Sequence, residues 1–306
     1  MEKIKNILIL CLTCTVMYSC GEKIDRAENT SEAEQKLEVQ GHRGDRGSYP
    51  ENTLPSFYSA VEKGVDVLEL DVVISKDRKV VVSHEPFMFS RYMLDYNGDT
   101  IAKAEERNYN FFEMTYDSIR KFDAGSKGNK LFPQQQKMKS YKPLLSEMID
   151  SVEKFIRKNN LDRIRYNIEL KSGKNLYGNY QPYPEEFVNL VMDVVKAKNI
   201  ETHSNIQSFD VRVLNYLHRA YPQMKTGYLV STTGIQKNLD KLNFKPDSYN
   251  PYFGLVKSKE FVDSIKGMDM TLIPWTVNKH EDIQRMIDLK VDGLITDYPE
   301  RAIEKL

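Results

Sequence analysis

From residue 39 onward, short apolar runs alternate with segments whose apolar residues recur at helical spacing. This alternation is typical of an α/β protein in which helices connect the strands of a parallel sheet. Strands are predicted at 39–42, 66–74, 165–170, 203–206, 226–230, 248–250, 271–275 and 293–296. Helices are predicted near 52–63, 144–159, 184–198, 210–220, 258–266 and 279–289. Eight strands in one run indicate a closed (β/α)8 TIM barrel over residues 39–306, and an open doubly wound sheet stays as the alternative.

A further apolar run, VVVSHE at 80–85, follows the second predicted strand after only the letters KDRK. Four residues cannot hold a crossover helix, so the two runs are predicted to form an antiparallel hairpin. With residues 77–78 as a two-residue turn, His84 is expected directly opposite Asp71. The hairpin thereby returns a histidine to the C-terminal rim of the barrel.

The segment from about 86 to 143 lacks the periodicity of the barrel. It contains an aromatic stretch, NYNFFEMTYD, and a stretch rich in glycine and polar residues, DAGSKGNK. Because the helical pattern resumes only at 144, this segment is predicted to be an insertion after the second barrel strand, placed over the rim.

Residues 1–19 have the pattern of a secretory signal peptide. Lys3 and Lys5 precede the apolar run ILILCLTCTVM, which is too short to span a bilayer, and small residues follow it. Export is the expected consequence. The protein is then expected to face the periplasm or the cell exterior.

All three cysteines, Cys11, Cys14 and Cys20, lie at this end of the chain. Cleavage before Cys20 leaves a single cysteine, which excludes an internal disulfide. A cysteine at a new N-terminus, flanked by small residues, resembles the acylation site of bacterial lipoproteins. We therefore expect lipidation and membrane anchoring through Cys20, with residues 20–38 as a polar tether; a plain signal peptide is the alternative.

The charges of the whole chain cancel, with 44 basic and 44 acidic residues. A chain without net charge has no long-range field that would attract nucleic acid, so a nucleic-acid partner is excluded. Any anion must bind at a local site. The sequence does not predict an oligomeric state.

Two strands carry charged residues in pairs that share one face. Glu69 and Asp71 are two residues apart in LELD, and Glu169 and Lys171 repeat the spacing in IELK. Acids that point into a barrel are costly unless a cation or hydrogen bonds satisfy them. Three carboxylates at one rim would suit a hard divalent ion, Mg²⁺ or Ca²⁺, whereas either pair alone is more often a salt bridge.

Two histidines are predicted at the same rim. His42 ends the first strand inside GHRGDRGSYPENT, and His84 returns on the hairpin. Hydrolysis of a phosphodiester needs a base, an acid and cationic groups on the phosphate oxygens. Arg43 is expected to donate a bidentate pair to a phosphate, and Lys171 adds a point charge.

Three further residues have two interpretations each. Glu51 and Asn52 are expected to support the site from behind, with Glu51 orienting Arg43 or His42, but PENT is also a typical helix start. Trp275, the single tryptophan, would form an aromatic wall for a small alcohol, or would be an ordinary core residue.

Taken together and in order, several motifs resemble the glycerophosphodiester phosphodiesterase family of the phosphatidylinositol-phospholipase-C-like barrels. They are HRGDRGSYPENT, LELD, VVVSHE, IELK, QSFD, PWTVN and DGLITDYP. The resemblance runs from about residue 40 to 300. It implies a TIM barrel with an insertion and metal-dependent hydrolysis of glycerophosphodiesters to glycerol 3-phosphate and an alcohol.

The resemblance also assigns roles. It implies that His42 and His84 are the general acid and base, and that the substrate's own glycerol hydroxyl attacks to give a cyclic phosphate that water then opens. The implied ligands of one divalent ion are Glu69, Asp71 and Glu169. The residues implied to bind the phosphate are Arg43 and Lys171. One position departs from the family: Glu85 follows the second histidine where aspartate is usual.

Three functions remain open at this point. The leading expectation is a glycerophosphodiester hydrolase. A hydrolase of lysophospholipase D type, or one acting on another polyol phosphodiester, is a near alternative. A surface lipoprotein that binds phosphodiesters without catalysis is a third, although it would not need both an acid and a base.

Overall fold

The computed structural model describes residues 36–306. The predicted signal peptide at 1–19, the predicted lipidation site Cys20 and the predicted tether as far as residue 35 lie outside the described residues. Within 36–306 no helix is long and apolar enough to cross a membrane.

Eight parallel strands form one sheet that curves into a nearly closed barrel, and a ninth strand is antiparallel, all within the described range. The strands are β1 (Glu38–His42), β2 (Val67–Ile74), β3 (Val80–Val82), β4 (Arg165–Leu170), β5 (Ser204–Ser208), β6 (Lys225–Val230), β7 (Ser248–Pro251), β8 (Thr271–Leu272) and β9 (Gly293–Thr296). The helices are α1 (Leu54–Glu62), α2 (Tyr116–Ile119), α3 (Leu145–Asn159), α4 (Pro184–Ala197), α5 (Val211–Ala220), α6 (Ile235–Leu239), α7 (Lys259–Lys266), α8 (His280–Asp288) and α9 (Pro299–Ile303).

The order of the strands confirms the predicted TIM barrel and excludes an open doubly wound sheet. The order is β8-β7-β6-β5-β4-β2-β1-β9, so the first and last strands of the chain are neighbours. Backbone bonds from Asp292 to Leu272 (3.1 Å) and from Ile295 to Pro274 (2.9 Å) join β8 to β9. The predicted strand at 271–275 has a regular ladder only over β8, because Pro274 has no N–H to donate.

Amphipathic helices cover the outside of the barrel. In α3 the buried side chains recur at helical spacing and lie against the sheet: Leu145, Met148, Ile149, Val152 and Ile156. In β2 all eight residues are buried, since one face meets the helices and the other faces the barrel interior.

The predicted hairpin forms between β2 and β3, but the predicted register is wrong by one residue. Val72 pairs with Val82, and Ser83 donates its N–H to the Asp71 carbonyl at 3.0 Å. Ser83 therefore lies opposite Asp71, where His84 was expected. The cause is a three-residue turn, which puts Arg78 in the left-handed region at φ 59°.

The chain between β3 and α3 forms the insertion, with a small core of its own. This core packs on the outer face of the hairpin, at Val73 and Val81. Its other buried side chains are Met88, Tyr92, Met93, Ile101, Phe111, Tyr116, Ile119, Phe122 and Ala124. The insertion is thus attached to the hairpin that carries His84.

Candidate active site

Three carboxylates meet at the C-terminal rim of the barrel. Glu69 and Asp71 extend from β2, and Glu169 extends from the neighbouring β4, where it lies in register with Asp71. All three are buried, and one oxygen of each lies within 4.8 Å of the others. The structure therefore brings together the three predicted metal ligands.

The protonation of this cluster reflects its crowding. Burial raises the pKa of Glu69 well above its ordinary value, and the charges of Asp71 and Glu169 raise it further. Burial likewise raises the pKa of Glu169 to about 7, against the opposing Lys171 ammonium. Three ionised carboxylates this close together require a compensating positive charge.

A hard cation fits these residues. Among the described residues, Asp71 Oδ1 is buried and accepts no hydrogen bond. Its other oxygen is bound by the Asn52 amide at 2.9 Å and lies 3.2 Å from Arg43 Nε. Lys171 Nζ supplies one positive charge, at 2.6 Å from Glu169 and 3.7 Å from Asp71 Oδ1. An oxygen-rich set with one unsatisfied buried oxygen is the donor chemistry that Mg²⁺ and Ca²⁺ prefer.

Glycines shape the loop that follows β1. Gly44 has φ 86°, and a Cβ there would lie 2.5 Å from the Ser56 side chain. Arg43 itself is in the left-handed region at φ 54°, which directs its N–H to Glu69 Oε2 at 3.0 Å. The contact of Gly44 with Ser56 leaves no room for a side chain, which explains why a glycine follows Arg43.

The Arg43 guanidinium is already held by acids. Nη1 lies 2.6 Å from Glu51 and Nε lies 3.2 Å from Asp71. Nε and one N–H of Nη1 thus face acids, and the bidentate contact of Arg43 with a phosphate stays a prediction. Glu51 orients Arg43, as expected, and also binds Arg46 at 2.7 Å.

Asn52 acts on the site and does not cap the helix. It has φ 55°, its amide N–H donates to Asp71 Oδ2, and its side-chain oxygen accepts from the Asp71 backbone N–H at 3.3 Å. The residue before α1 is Thr53. PENT therefore begins the helix through Thr53, and its Asn52 contacts Asp71.

His42 is bound to a carboxylate that the sequence analysis did not single out. Its Nδ1 lies 2.7 Å from Asp297 Oδ1, and Asn278 donates to the other Asp297 oxygen at 2.8 Å. Its Nε2 lies 3.9 Å from Glu69. Burial lowers the pKa of His42, and the Asp297 charge opposes that effect. The motif DGLITDYP was the available signal, because its aspartate follows the last strand.

His84 has a similar partner from a different part of the chain. Its Nδ1 lies 2.9 Å from Glu85 Oε1, and the Tyr92 hydroxyl donates to Glu85 Oε2 at 2.8 Å. Burial lowers the pKa of His84, and the charges of Arg43 and Lys171 lower it further. Glu85 thus supports the histidine although the family usually has an aspartate there.

An aromatic wall lies beside Lys171. The Trp275 indole N–H donates to the Asn250 carbonyl at 2.8 Å, which fixes the ring. Its edge contacts Phe209 and Tyr252, with centroids at 5.4 and 5.9 Å. Lys171 Nζ lies 6.0 Å from the Phe209 ring. Phe209 and Tyr252, which the sequence analysis missed, are 41% and 42% exposed, so the wall is open to a ligand.

The chain is similar to known proteins over most of its length. The model of the "Glycerophosphoryl diester phosphodiesterase family" matches residues 42–301. A glycerophosphodiester phosphodiesterase of Caldanaerobacter subterraneus is 32% identical over 269 residues, covering 88% of this chain and 97% of the relative. A human lysophospholipase D is 24% identical and covers 85% of this chain and 83% of the relative.

Solved structures share the fold. A Silicibacter pomeroyi protein, provisionally named a glycerophosphoryl diester phosphodiesterase, aligns with a TM-score of 0.78 and 31% identity, covering 88% of this chain and 92% of that one. An Oleispira antarctica phosphodiesterase in complex with the product sn-glycerol-3-phosphate aligns with a TM-score of 0.67 and 23% identity, covering 87% and 95%.

Proposed function

The chain belongs to the glycerophosphoryl diester phosphodiesterase family, and on that premise we propose that it hydrolyses glycerophosphodiesters with His42 and His84 as general acid and base. The proposed site of one divalent ion, Mg²⁺ or Ca²⁺, is formed by Glu69, Asp71 and Glu169. The non-catalytic binder considered above is not retained, because the relatives are enzymes.

One observation carries this function: each of two imidazoles at the rim has its Nδ1 beside a carboxylate. A carboxylate at Nδ1 fixes the tautomer, so that Nε2 is the nitrogen that exchanges a proton with substrate. In His42, Nε2 lies 3.3 Å from Arg43 Nε, and a substrate oxygen would replace that contact. A site with two such imidazoles can take a proton from one oxygen of a phosphodiester reaction and give a proton to another. A site that only binds a phosphodiester needs neither of these proton transfers.

The chemistry then follows from the groups present. One histidine accepts the proton of the attacking hydroxyl as its oxygen bonds to phosphorus. The other protonates the leaving oxygen as its bond to phosphorus breaks. Arg43 Nη2 and Lys171 donate to the non-bridging oxygens. A bound divalent ion would stabilise the negative charge that develops on the same oxygens.

The products of this reaction are glycerol 3-phosphate and an alcohol. The attacking hydroxyl belongs either to water or to the substrate's own glycerol; in the second case a cyclic phosphate forms first and water opens it. In both cases the net reaction consumes one water.

The decisive assay uses the chain without residues 1–20. It is incubated with glycerophosphocholine and glycerophosphoethanolamine, with EDTA or with added Ca²⁺ or Mg²⁺, and glycerol 3-phosphate is measured. We expect release that EDTA abolishes and added metal restores. The absence of metal-dependent release from every diester would overturn the proposed function.

Glu69→Gln tests the metal site separately. This substitution keeps the shape of the side chain and removes one anionic oxygen. We expect the metal concentration at half-maximal activity to rise at least tenfold before the maximal rate falls. Glu62→Gln, on the surface-facing end of α1, is the matched control and should leave the titration unchanged.

The open aromatic wall favours a second substrate class. Phe209, Tyr252 and Trp275 offer apolar surface next to Lys171, and the human relative is named a lysophospholipase D. Lysophosphatidylcholine would be the substrate in that case. Its hydrolysis at a higher kcat/KM than glycerophosphocholine would assign the chain to that class.

Export and lipid anchoring form the last part of the proposed function. They are supported by the signal-like run in residues 1–19 and by Cys20 after it. In a bacterial host, the full chain should incorporate labelled fatty acid and Cys20→Ser should not. Equal labelling of both would remove the anchor.

A further inference from the structure

The Tyr92 hydroxyl is the one polar group of the insertion that reaches the carboxylate beside His84 in the described part of the chain. It donates to Glu85 Oε2 at 2.8 Å, while Glu85 Oε1 lies 2.9 Å from His84 Nδ1. Three consecutive groups, a phenol, a carboxylate and an imidazole, thus form one hydrogen-bonded chain. It runs from the core of the insertion to the site.

Glu85 needs this support more than a barrel residue would. Its side chain is 16% exposed, and it lies after β3, beyond the hairpin's ladder. A carboxylate with access to water can rotate away from its imidazole unless its second oxygen is held. Tyr92 holds that oxygen.

Tyr92 is itself fixed from two sides. It is 4% exposed, and its ring packs edge-on against Phe89 at 5.7 Å. The ammonium of Lys142 lies 5.0 Å from the ring centroid and donates to the Glu51 carbonyl at 2.9 Å. The phenol therefore has a defined position relative to the barrel, since Glu51 is bound to Arg43.

The charges agree with this direction of donation. Burial raises the pKa of Tyr92 well above its ordinary value, and the charge of Glu85 adds to the effect. The phenol therefore keeps its proton at neutral pH, and its O–H can donate to Glu85.

We propose that Tyr92 is a positioning residue of the active site, which holds Glu85 and, through it, His84 in the geometry of the reaction. This role rests on the proposed function of His84. It makes the insertion part of the catalytic apparatus, and it assigns to a residue outside the barrel a share of the turnover rate.

Tyr92→Phe tests this role cleanly, because it retains the ring, its packing and its contact with the Lys142 ammonium. We expect kcat to fall about fivefold while KM is unchanged, since Tyr92 is buried in the insertion core. Tyr116→Phe is the matched control: it is also a buried tyrosine of the insertion core, and its hydroxyl donates to a carboxylate, Glu147, at 3.2 Å and to the Lys142 backbone carbonyl at 3.3 Å, not to Glu85. It should leave kcat unchanged.

A double-mutant cycle identifies the path of the effect. Glu85→Ala alone should lower kcat about tenfold. If Tyr92 acts only through Glu85, Tyr92→Phe should cause no further loss in the Glu85→Ala background. Equal losses of kcat in Tyr92→Phe and Tyr116→Phe would overturn the role. A fivefold loss of kcat when Tyr92→Phe is added to Glu85→Ala would overturn it as well.

A spectroscopic measurement keeps this test separate from the proposed function. The His84 Nδ1 proton, assigned by its loss in His84→Ala, should shift or exchange faster with water in Tyr92→Phe and not in Tyr116→Phe. If the wild type is inactive but the His84 signal still changes in Tyr92→Phe, the proposed function is rejected and the positioning role of Tyr92 is kept. An unchanged signal in Tyr92→Phe would reject the positioning whatever the activity.

Discussion

The two histidines of the site have the same immediate chemistry and different supports. His42 ends β1, and its carboxylate, Asp297, directly follows the adjacent strand β9. His84 follows the hairpin, and its carboxylate is the next residue in the chain, held by the insertion. The side chains of the first pair are 12% and 4% exposed, and those of the second are 29% and 16% exposed.

We call the His42–Asp297 pair the barrel half of the site and the His84–Glu85 pair the insertion half. We infer that the barrel half is the more rigid of the two. Hydrogen bonds between strands set the position of His42, and Asn278 and the barrel rim fix Asp297. The position of His84 depends on a loop and on side-chain packing in a segment outside the barrel. A barrel enzyme varies most easily in its loops. We therefore expect changes in the insertion to tune the rate, and changes in the barrel half to abolish it.

The largest expected effect is the removal of either imidazole. His42→Ala and His84→Ala should each lower kcat about a thousandfold, because each removes a proton-transfer group. Binding of the product sn-glycerol 3-phosphate, measured by calorimetry, should survive in both. Near-normal turnover in one variant would remove that histidine from the mechanism. Only the other histidine would then transfer a proton.

The next effect compares the two carboxylates. Asp297→Asn should lower kcat about a hundredfold, because a buried amide can present its N–H to Nδ1 and impose the wrong tautomer. Glu85→Gln should cost about tenfold, because its more exposed side chain can rotate or be replaced by water. Steady-state kinetics on both variants checks this order, and the reverse order would show that the insertion half is the more rigid one.

The pH dependence of kcat/KM then identifies the base. Burial lowers the pKa of both histidines below the ordinary 6.5, so the acid limb of the profile should have its midpoint below that value. Loss of the neighbouring negative charge lowers the pKa of a histidine further. The acid limb should therefore move to lower pH in Glu85→Gln if His84 is the base and in Asp297→Asn if His42 is. A midpoint above 6.5 in the wild type would show that the carboxylates raise the pKa of the base by more than burial lowers it.

The smallest expected effect concerns the stability of the insertion half. Burial lowers the pKa of Lys142 from 10.5 to about 8, so its charge destabilises the folded state below pH 8 and this cost disappears as pH rises towards 10.5. The unfolding free energy of the wild type, relative to Lys142→Met, should rise by about 1 kcal/mol between pH 8 and pH 9. Urea titrations at both pH values measure it. A constant difference would mean that the ammonium is solvated.

The sequence predicted the barrel strands because each is a short apolar run between segments with helical spacing. This alternation can be recognised locally, without knowledge of tertiary contacts. It predicted the convergence of Glu69, Asp71 and Glu169 because parallel strands end at one rim. The hairpin register was lost because it depends on the turn: a left-handed Arg78 adds one residue, and no glycine marks it.

The supporting residues could not be predicted in the same way. Asp297 and Lys142 contact residues 255 and 91 positions away, and Tyr92 reaches Glu85 through the irregular fold of the insertion, which has no period to read. The short helices α6 and α9 were also missed, since five residues each are too few to display a helical period.

The bond between His42 and Asp297 joins residues 255 positions apart, from the first strand to the last. During translation, the imidazole therefore emerges long before the carboxylate that orients it. The His42–Asp297 pair stays incomplete until β9 and Asp297 have been synthesised, whereas the His84–Glu85 pair and its contact with Tyr92 are complete once Lys142 has been synthesised. A chain cut short before residue 297 lacks this pair, so we expect it to lose at least the activity lost in Asp297→Asn, even if most of it folds.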